Sequence, residues 1–167
     1  IVLFSSLSPD FLTPGNLLNI LLQSSILGIM AVGMTFLMIS GYFDISIGSL
    51  LALVVAVTVS LTGVSIPLAC LAALACGAFF GGLNGVLVTK AKVNAFIVTL
   101  AGMSGYRGLT YVYTGEREII GLNTAFEKIA SAEILYIPVP ILIWIIIIVI
   151  SELVLRRTVY GRNIYAI

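Results

Sequence analysis

A single carboxylate interrupts an otherwise uncharged stretch that runs from Phe11 to Thr89. Asp44 is the only charged residue between Asp10 and Lys90. Soluble domains carry about 25% charged residues, whereas this chain has 9% charged and 60% apolar residues. A chain with this composition cannot cover its surface with polar side chains, and a bilayer accepts spanning helices. The sequence therefore predicts an all-α, polytopic bundle of transmembrane helices.

Five apolar runs are long enough to be considered as membrane spans, since a spanning helix needs about 20 mostly apolar residues. The predicted spans are residues 16–40, 45–61, 67–88, 95–113 and 138–155. A break in the helical path is expected near Asp44, between the first two spans. The whole chain, residues 1–167, is predicted to be part of one transmembrane domain in a longer protein.

The basic residues predict the orientation of these spans, because cytoplasmic loops are enriched in lysine and arginine. Lys90 and Lys92 lie between the third and fourth spans, and Arg156, Arg157 and Arg162 follow the fifth. Two crossings separate the two groups, so both fall on the same side of the membrane. We expect that side to be the cytoplasm.

The polar segment 114–137 is then extracytoplasmic. It contains four acidic residues, Glu116, Glu118, Glu127 and Glu133. Tyr111, Tyr113 and Tyr136 are expected at the outer interface, where amphipathic rings collect.

Several function classes find no support in the sequence. The net charge is +1 and no basic run is present, which argues against a nucleic-acid partner. The chain has no histidine, and it contains no phosphate-binding glycine loop or nucleophile elbow. Cys70 and Cys76 lie in an apolar run and are interpreted as small core residues. The sequence thus predicts no catalytic residue, no metal site and no cofactor.

Small residues recur at every fourth position of the third span. They are Ala69, Ala73, Gly77, Gly81 and Gly85. Helices in a bilayer approach closely over small side chains. The pattern predicts a helix-packing face in the middle of a bundle.

Asp44 admits two interpretations that can both hold. It precedes the run "ISIGSLLALVV" and could cap that helix by accepting hydrogen bonds from its first free N–H groups. Gly41 and Gly48 flank it and loosen the backbone, which also fits a broken helix that lines a cavity. A carboxylate inside the membrane is a candidate functional residue.

Few other polar residues fall in or beside the spans. Together with Asp44, the candidates for a substrate pathway are Gln23, Asn84, Asn94 and Tyr106. The alternative for each is a hydrogen bond between helices. Arg107 is expected to pair with a carboxylate or to lie near the outer surface.

Three stretches resemble the permease subunit of bacterial ribose/xylose/galactoside-type ABC importers. Residues 11–53 contain the run "GYFDISIGS", which is similar to the family's Gly-x-x-Asp-(Leu/Ile)-Ser-(Val/Ile)-Gly-Ser motif. Residues 81–109, "GGLNGVLVTKAKVNAFIVTLAGMSGYRGL", resemble its next signature. Residues 158–167, "TVYGRNIYAI", resemble the start of its cytoplasmic coupling segment. Tyr42 and Phe43 depart from the pattern, since many relatives have a smaller residue before the aspartate.

The resemblance implies an ATP-driven importer for a ribose-like pentose or related monosaccharide, in the bacterial inner membrane. It implies a cytoplasmic ATPase, a second and often identical permease subunit, and an extracytoplasmic sugar-binding protein as partners, besides membrane lipid. The chain would lack the family's C-terminal half. Residues 156–167 would begin the coupling segment, to which Gly161, Arg162, Asn163 and Tyr165 would belong.

Two other functions stay open at this point. One is a secondary carrier that is driven by an ion gradient, with Asp44 as the ion site. The other is a membrane scaffold that transports nothing and assembles partners through its glycine face.

Overall fold

The computed structural model describes residues 10–121 and 123–166, apart from the side chains of residues 129 and 130. Residues 1–9, 122 and 167 belong to the predicted segments but lie outside the described residues. The helices are α1 (Pro14–Ile39), α2 (Ile47–Thr62), α3 (Ile66–Thr89), α4 (Ala95–Thr114), α5 (Thr124–Ala130), α6 (Val139–Arg157) and α7 (Val159–Tyr165). The strands β1 (Glu133–Ile134) and β2 (Ile137–Pro138) form an antiparallel hairpin.

Each of the five predicted spans coincides with a helix, and the predicted ends lie within two residues of the observed ones. Three helices, α1, α3 and α6, are long and apolar enough to cross a bilayer. Helix α2 is apolar but has 16 residues, and α4 carries Arg107 among several hydroxyl side chains. The all-α transmembrane class is confirmed, and the number of five spans stays a prediction.

Proline and glycine mark several of the helix ends. Pro14 begins α1, where the missing N–H would be unpaired in any case. Beyond the end of α1, Gly41 has a φ of +78°, and its N–H donates to the carbonyl of Met38. This left-handed position favours glycine. Gly115 ends α4 in the same way, with a φ of +60°.

The chain forms two compact units. One unit contains Tyr42–Glu127, and the other contains the residues up to Gly41 together with those from Lys128 onward.

In the Tyr42–Glu127 unit, α2 is the central helix and packs against both α3 and α4. Most of its buried positions are small or polar: Ser46, which precedes the helix, and Ser49, Ala56 and Thr62. Leu53 is the one large apolar side chain that is buried in this helix. Large apolar side chains such as Val55 are exposed. This distribution is the reverse of that in a soluble protein and suits helices that face lipid.

In the other unit, α1 packs against α6, and α7 folds back on α6. Gly28 lies directly against the indole ring of Trp144, and a Cβ atom at this position would overlap the ring. The close contact of α1 with α6 therefore depends on a residue that has no side chain at this point.

The segment 114–137 contains regular structure that its polar sequence did not predict. It holds α5 and most of the β1–β2 hairpin. Asn123 caps α5 by accepting hydrogen bonds from the N–H groups of Ala125 and Phe126 at 2.9 and 3.2 Å. Its amide also donates to the Thr62 carbonyl at 2.6 Å, which satisfies the last turn of α2.

Candidate functional site: a polar junction of three helices

The chain leaves the helical conformation between the end of α1 at Ile39 and the start of α2 at Ile47. Asp44 lies in this connection and is half-buried. The break near Asp44 is therefore present as predicted.

The carboxylate of Asp44 accepts hydrogen bonds from Ser46. Oδ1 receives the Ser46 backbone N–H at 2.7 Å and the Ser46 hydroxyl at 2.6 Å. Asp44 thus accepts an N–H group at the approach to α2, as the capping prediction expected, but the donor is Ser46, the residue before the helix, because α2 begins at Ile47 and not at Ile45. The carboxylate closes a short turn just before the helix.

Asn84 of α3 joins this turn to a second helix. Its Nδ2 donates to Asp44 Oδ2 at 3.3 Å and to Ser46 Oγ at 3.0 Å. Its Oδ1 accepts the hydroxyl of Tyr106 in α4 at 2.6 Å. Asp44, Ser46, Asn84 and Tyr106 are hereafter called the Asp44 network.

The Asp44 network uses nearly all of its hydrogen-bonding capacity internally. The hydroxyl of Ser46 donates to Asp44 and accepts from Asn84. Both the nitrogen and the oxygen of the Asn84 side-chain amide form hydrogen bonds. Ser46 is fully buried, and Asn84 and Tyr106 are nearly so. Because buried polar groups with complete partners fix one arrangement of the side chains, the network ties α2, α3 and α4 together at one level.

The charge of Asp44 is stabilised by hydrogen bonds rather than by a cation. Among residues 10–121 and 123–166, no lysine or arginine forms an ion pair with it. The same range holds no group of three potential metal ligands from histidine, cysteine, aspartate and glutamate.

A groove opens beside the network on the surface formed by α3 and α4. It has a volume of about 640 Å³. Asn84 and Tyr106 supply its polar groups, while Gly102 and Gly105 of α4 belong to its lining. The rest of the lining is apolar and consists of Phe80, Leu83, Leu87, Val93, Ile97, Val98, Ala101 and Leu109.

The remaining pathway candidates do not join this cluster. Asn94 is exposed and caps α4, since its Oδ1 accepts the N–H of Phe96 at 2.9 Å. Gln23 belongs to α1 in the other unit, is exposed, and makes no hydrogen bond to another described residue. Arg107 is also exposed and pairs with no carboxylate in the described part of the chain.

The stripe of small residues on α3 is only partly a packing face within this chain. Ala69 is fully buried, whereas Gly81 and Gly85 are exposed and a Cβ at either would touch nothing. The physical reason is the helical repeat. A helix turns by about 100° per residue, so each four-residue step adds about 40° and the stripe rotates by about 160° overall. Among the five residues, Ala69 alone is buried in this chain, and the packing role of the other four stays a prediction.

The cysteines also differ from expectation. Cys70 is exposed and Cys76 is half-buried, so Cys70 is not a core residue of this chain. An apolar side chain on a membrane helix can face lipid without cost, which removes the usual link between hydrophobicity and burial.

The predicted coupling segment forms the short helix α7. The Thr158 hydroxyl accepts the N–H of Gly161 at 3.1 Å and donates to the Val154 carbonyl at 2.7 Å. Gly161 is buried, and a Cβ there would overlap the carbonyl oxygen of Leu155. Gly161 therefore serves the joint between α6 and α7 and does not belong to the exposed surface of α7.

The exposed surface of α7 includes three of the predicted coupling residues, Arg162, Asn163 and Tyr165. Val159 and Tyr160 are equally exposed and were not predicted. Ser46 was likewise missed in the Asp44 network. Its position two residues after Asp44, in a helix-start context, was the available signal.

Comparisons with known proteins agree with the resemblance. The profile described as "Branched-chain amino acid transport system / permease component" matches residues 16–167. The ribose import permease protein RbsC of Haemophilus influenzae is 41% identical over all of this chain and 54% of its own length. The RbsC protein of Bacillus subtilis is 42% identical, with 53% of its length covered.

A more distant relative is the L-arabinose ABC transporter permease protein AraH of Azospirillum brasilense, which is 35% identical over all of this chain and 51% of its own length. No solved structure matches the chain. The chain thus spans about half the length of the curated relatives that it matches. The match over residues 16–167 confirms the resemblance, and the chain belongs to the family of branched-chain amino acid transport system permease components.

Proposed function

We propose that this chain is part of the permease subunit of an ATP-driven importer for ribose or a related monosaccharide, located in the bacterial inner membrane. The observation that carries the proposal is the identity of 41–42% to ribose import permeases from separate bacteria. Relatives named for L-arabinose, D-allose and autoinducer 2 are 35, 33 and 31% identical. Ribose is therefore the first substrate to test.

The permease carries no ATPase site of its own in this proposal. A cytoplasmic ATPase hydrolyses ATP, an extracytoplasmic binding protein delivers the sugar, and a second permease subunit, identical to the first, completes the pathway. The three long apolar helices supply a membrane-embedded frame for this assembly.

The Asp44 network has a structural role in this mechanism. Its hydrogen bonds link the start of α2 to α3 and α4, so the three helices move together when the transporter alternates between inward- and outward-open states. Asp44 holds the turn before α2 and does not bind the sugar. A carboxylate that already accepts three hydrogen bonds is poorly suited to a transported ion, which favours this role over that of an ion site.

The joint between α6 and α7 transmits the movement of the ATPase. Val159, Tyr160 and Tyr165 present apolar and aromatic surface, and Arg162 adds a positive charge. Aromatic and arginine side chains are common anchors in protein interfaces. Because Gly161 brings α7 against the carbonyl groups of α6, a displacement of α7 moves α6 directly.

The test uses the full-length protein, reconstituted in vesicles with its ATPase and its binding protein. We expect uptake of labelled ribose to require ATP on the side of the membrane that carries the ATPase. Uptake should persist when ionophores remove the proton and sodium gradients. Excess unlabelled ribose should compete more strongly than arabinose, and leucine should not compete. Uptake that collapses with the ionophores while ATP is present would refute the proposal and favour a gradient-driven carrier.

Asp44→Asn separates the two roles of the carboxylate. If Asp44 is a structural residue, its replacement lowers the amount of folded protein, and the remaining uptake still does not depend on an ion gradient. As an ion site, its replacement would abolish uptake in protein that is normally folded. Glu118→Gln serves as a control, because it neutralises an exposed carboxylate that lies outside the Asp44 network.

A further inference from the structure

The hairpin before α6 has an unusual turn. Its register pairs Glu133 with Pro138 and Ile134 with Ile137, which leaves Leu135 and Tyr136 as a two-residue loop. Both loop residues are left-handed, with φ values of +53° and +65°. Two consecutive positions with positive φ are the mark of a type I′ turn, for which Asn-Gly is strongly preferred.

Leucine and tyrosine are poor residues for this backbone. A Cβ atom makes the left-handed region unfavourable, and a bulky side chain at such a position is an outlier. Residues that are held in this conformation are found at functional sites more often than elsewhere. The side chains of Leu135 and Tyr136, hereafter the tip of the hairpin, are therefore expected to make a contact that Asn-Gly could not make.

The side chains of this turn are also the most exposed apolar groups of the hairpin. Leu135 is 87% and Tyr136 is 86% exposed, and the neighbouring Ile134 and Ile137 are 55% and 37% exposed. The four residues are consecutive in the sequence, and all of them are apolar or aromatic and at least 37% exposed. Exposed apolar surface of this kind marks a contact with a membrane or with another protein.

The position of the hairpin on α6 decides between these two partners. The N–H of Val139, the first residue of α6, donates to the carbonyl of Ala132 at 2.9 Å, so the base of the hairpin is attached to the helix start. Helix α6 has 19 residues and ends in Arg156 and Arg157. Its length of about 28 Å matches the hydrocarbon thickness of about 30 Å. With the arginines at one interface, the hairpin lies at the other.

We propose that the β1–β2 hairpin is an interfacial anchor, in which Leu135 and Tyr136 insert into the boundary between lipid headgroups and acyl chains. The amphipathic tyrosine ring suits this layer, and leucine extends the apolar surface of α6 beyond the helix. The anchor fixes the depth and rotation of α6 in the membrane. This inference goes beyond transport and holds whichever solute the protein carries.

The first experiment measures where the tip lies. The full-length protein, with its native cysteines replaced, carries a polarity-sensitive fluorophore at Leu135→Cys and is reconstituted in phosphatidylcholine nanodiscs. Glu118→Cys, an exposed charged position in segment 114–137, is the matched control. We expect the probe at residue 135 to emit at shorter wavelength, to be quenched by lipids with a nitroxide near the headgroup, and to resist aqueous iodide several-fold better than the probe at residue 118.

Equal quenching by iodide at both positions would overturn the proposal. So would a probe at residue 135 that is exposed to water in nanodiscs and becomes protected only when the extracytoplasmic binding protein is added, since that result assigns the surface to a protein partner.

The second experiment keeps the hairpin and removes the apolar tip. The double variant Leu135→Asn/Tyr136→Gly places the preferred residues in the turn, so the backbone should fold at least as well. With a probe at Ile134→Cys, we expect several-fold greater access of iodide in this double variant than in the same protein with Leu135 and Tyr136 intact. Unchanged access would mean that the tip side chains do not hold the hairpin at the membrane, and the proposal would fail.

Discussion

The two compact units hold their helices together by different means. In the Tyr42–Glu127 unit, a buried chain of hydrogen bonds links the Asp44 turn to Asn84 and Tyr106 on two neighbouring helices. In the other unit, α1 and α6 meet through the contact of Gly28 with Trp144, and α7 meets α6 through Gly161.

This difference reflects the environment of a membrane protein. Lipid chains are as apolar as leucine, so burying an apolar side chain between two helices gains little over leaving it in lipid. Helices then associate through polar groups that find each other or through glycines that allow close approach. The Asp44 network is an example of the first solution and the contact of Gly28 with Trp144 is an example of the second, and substitutions should affect them in different ways.

The largest effect is expected for Gly161→Ala. The new methyl group would overlap the carbonyl oxygens of Leu155 and Val154, and backbone atoms cannot move aside as a side chain can. Overpacking of this kind costs about 3 kcal/mol, which corresponds to about a 100-fold rise in amide hydrogen exchange within α7. Gly108→Ala is the control, because a Cβ at Gly108 meets open space. Similar exchange in the two variants would contradict the close joint.

Asn84→Leu should have the next largest effect. It keeps the number and branching of the side-chain heavy atoms. It removes the short acceptor of the Tyr106 hydroxyl, which retains only the contact to the Phe80 carbonyl at 3.3 Å, and it leaves Asp44 Oδ2 without its donor. Buried groups that lose their partners cost about 1–3 kcal/mol each, so we expect a total loss of about 2–3 kcal/mol. Unfolding by sodium dodecyl sulfate, followed by circular dichroism, measures it. Gln23→Leu should change little, and equal losses in both variants would disprove the importance of the network.

Gly28→Ala tests the steric contact in the other unit. Its Cβ would fall on the Trp144 ring, and we expect a loss of about 1–2 kcal/mol because the ring can shift in part. Gly33→Ala lies on the same helix and meets nothing, so it should be neutral or slightly stabilising. Adding Trp144→Leu should restore most of the loss. Failure of this rescue would mean that the two residues do not act through each other.

Tyr106→Phe should have the smallest effect. It removes one hydroxyl that donates to Asn84 and leaves the aromatic packing on Phe80 in place. Hydrogen bonds between membrane helices contribute about 0.6 kcal/mol on average, and we expect a loss of that size in the same denaturation assay. Tyr111→Phe, at an exposed position, should lose nothing. A loss as large as that of Asn84→Leu would mean that the hydroxyl, and not the amide, organises the junction.

The sequence predicted much of the fold because membrane helices are recognised by length and apolar composition alone. It also singled out Asp44, Asn84 and Tyr106, together with Gln23 and Asn94, as pathway candidates, since polar side chains are rare in such helices and each one stands out. That pathway role stays a prediction. Their pairing was not predictable, because Asp44 and Asn84 meet across 40 positions of sequence. Ser46 escaped notice because serine is frequent in membrane helices and carries no periodic signal.

Other features were missed for identifiable physical reasons. The hairpin at Leu135 and Tyr136 has none of the residues that normally indicate its turn type. The role of Gly161 depends on carbonyl groups of the preceding helix that only the folded chain brings near. In both cases, the decisive information lies in the backbone geometry rather than in residue type.

The contact between Gly28 and Trp144 allows one unit to be followed by intrinsic tryptophan fluorescence. Trp144 is the only tryptophan in the sequence, and its indole nitrogen is buried without a hydrogen-bond partner in the described part of the chain. Any event that separates α1 from α6 changes the surroundings of this ring and shifts its emission, whereas an event confined to the Asp44 network leaves the emission unchanged. The chain therefore carries an intrinsic reporter that distinguishes movement in one unit from movement in the other.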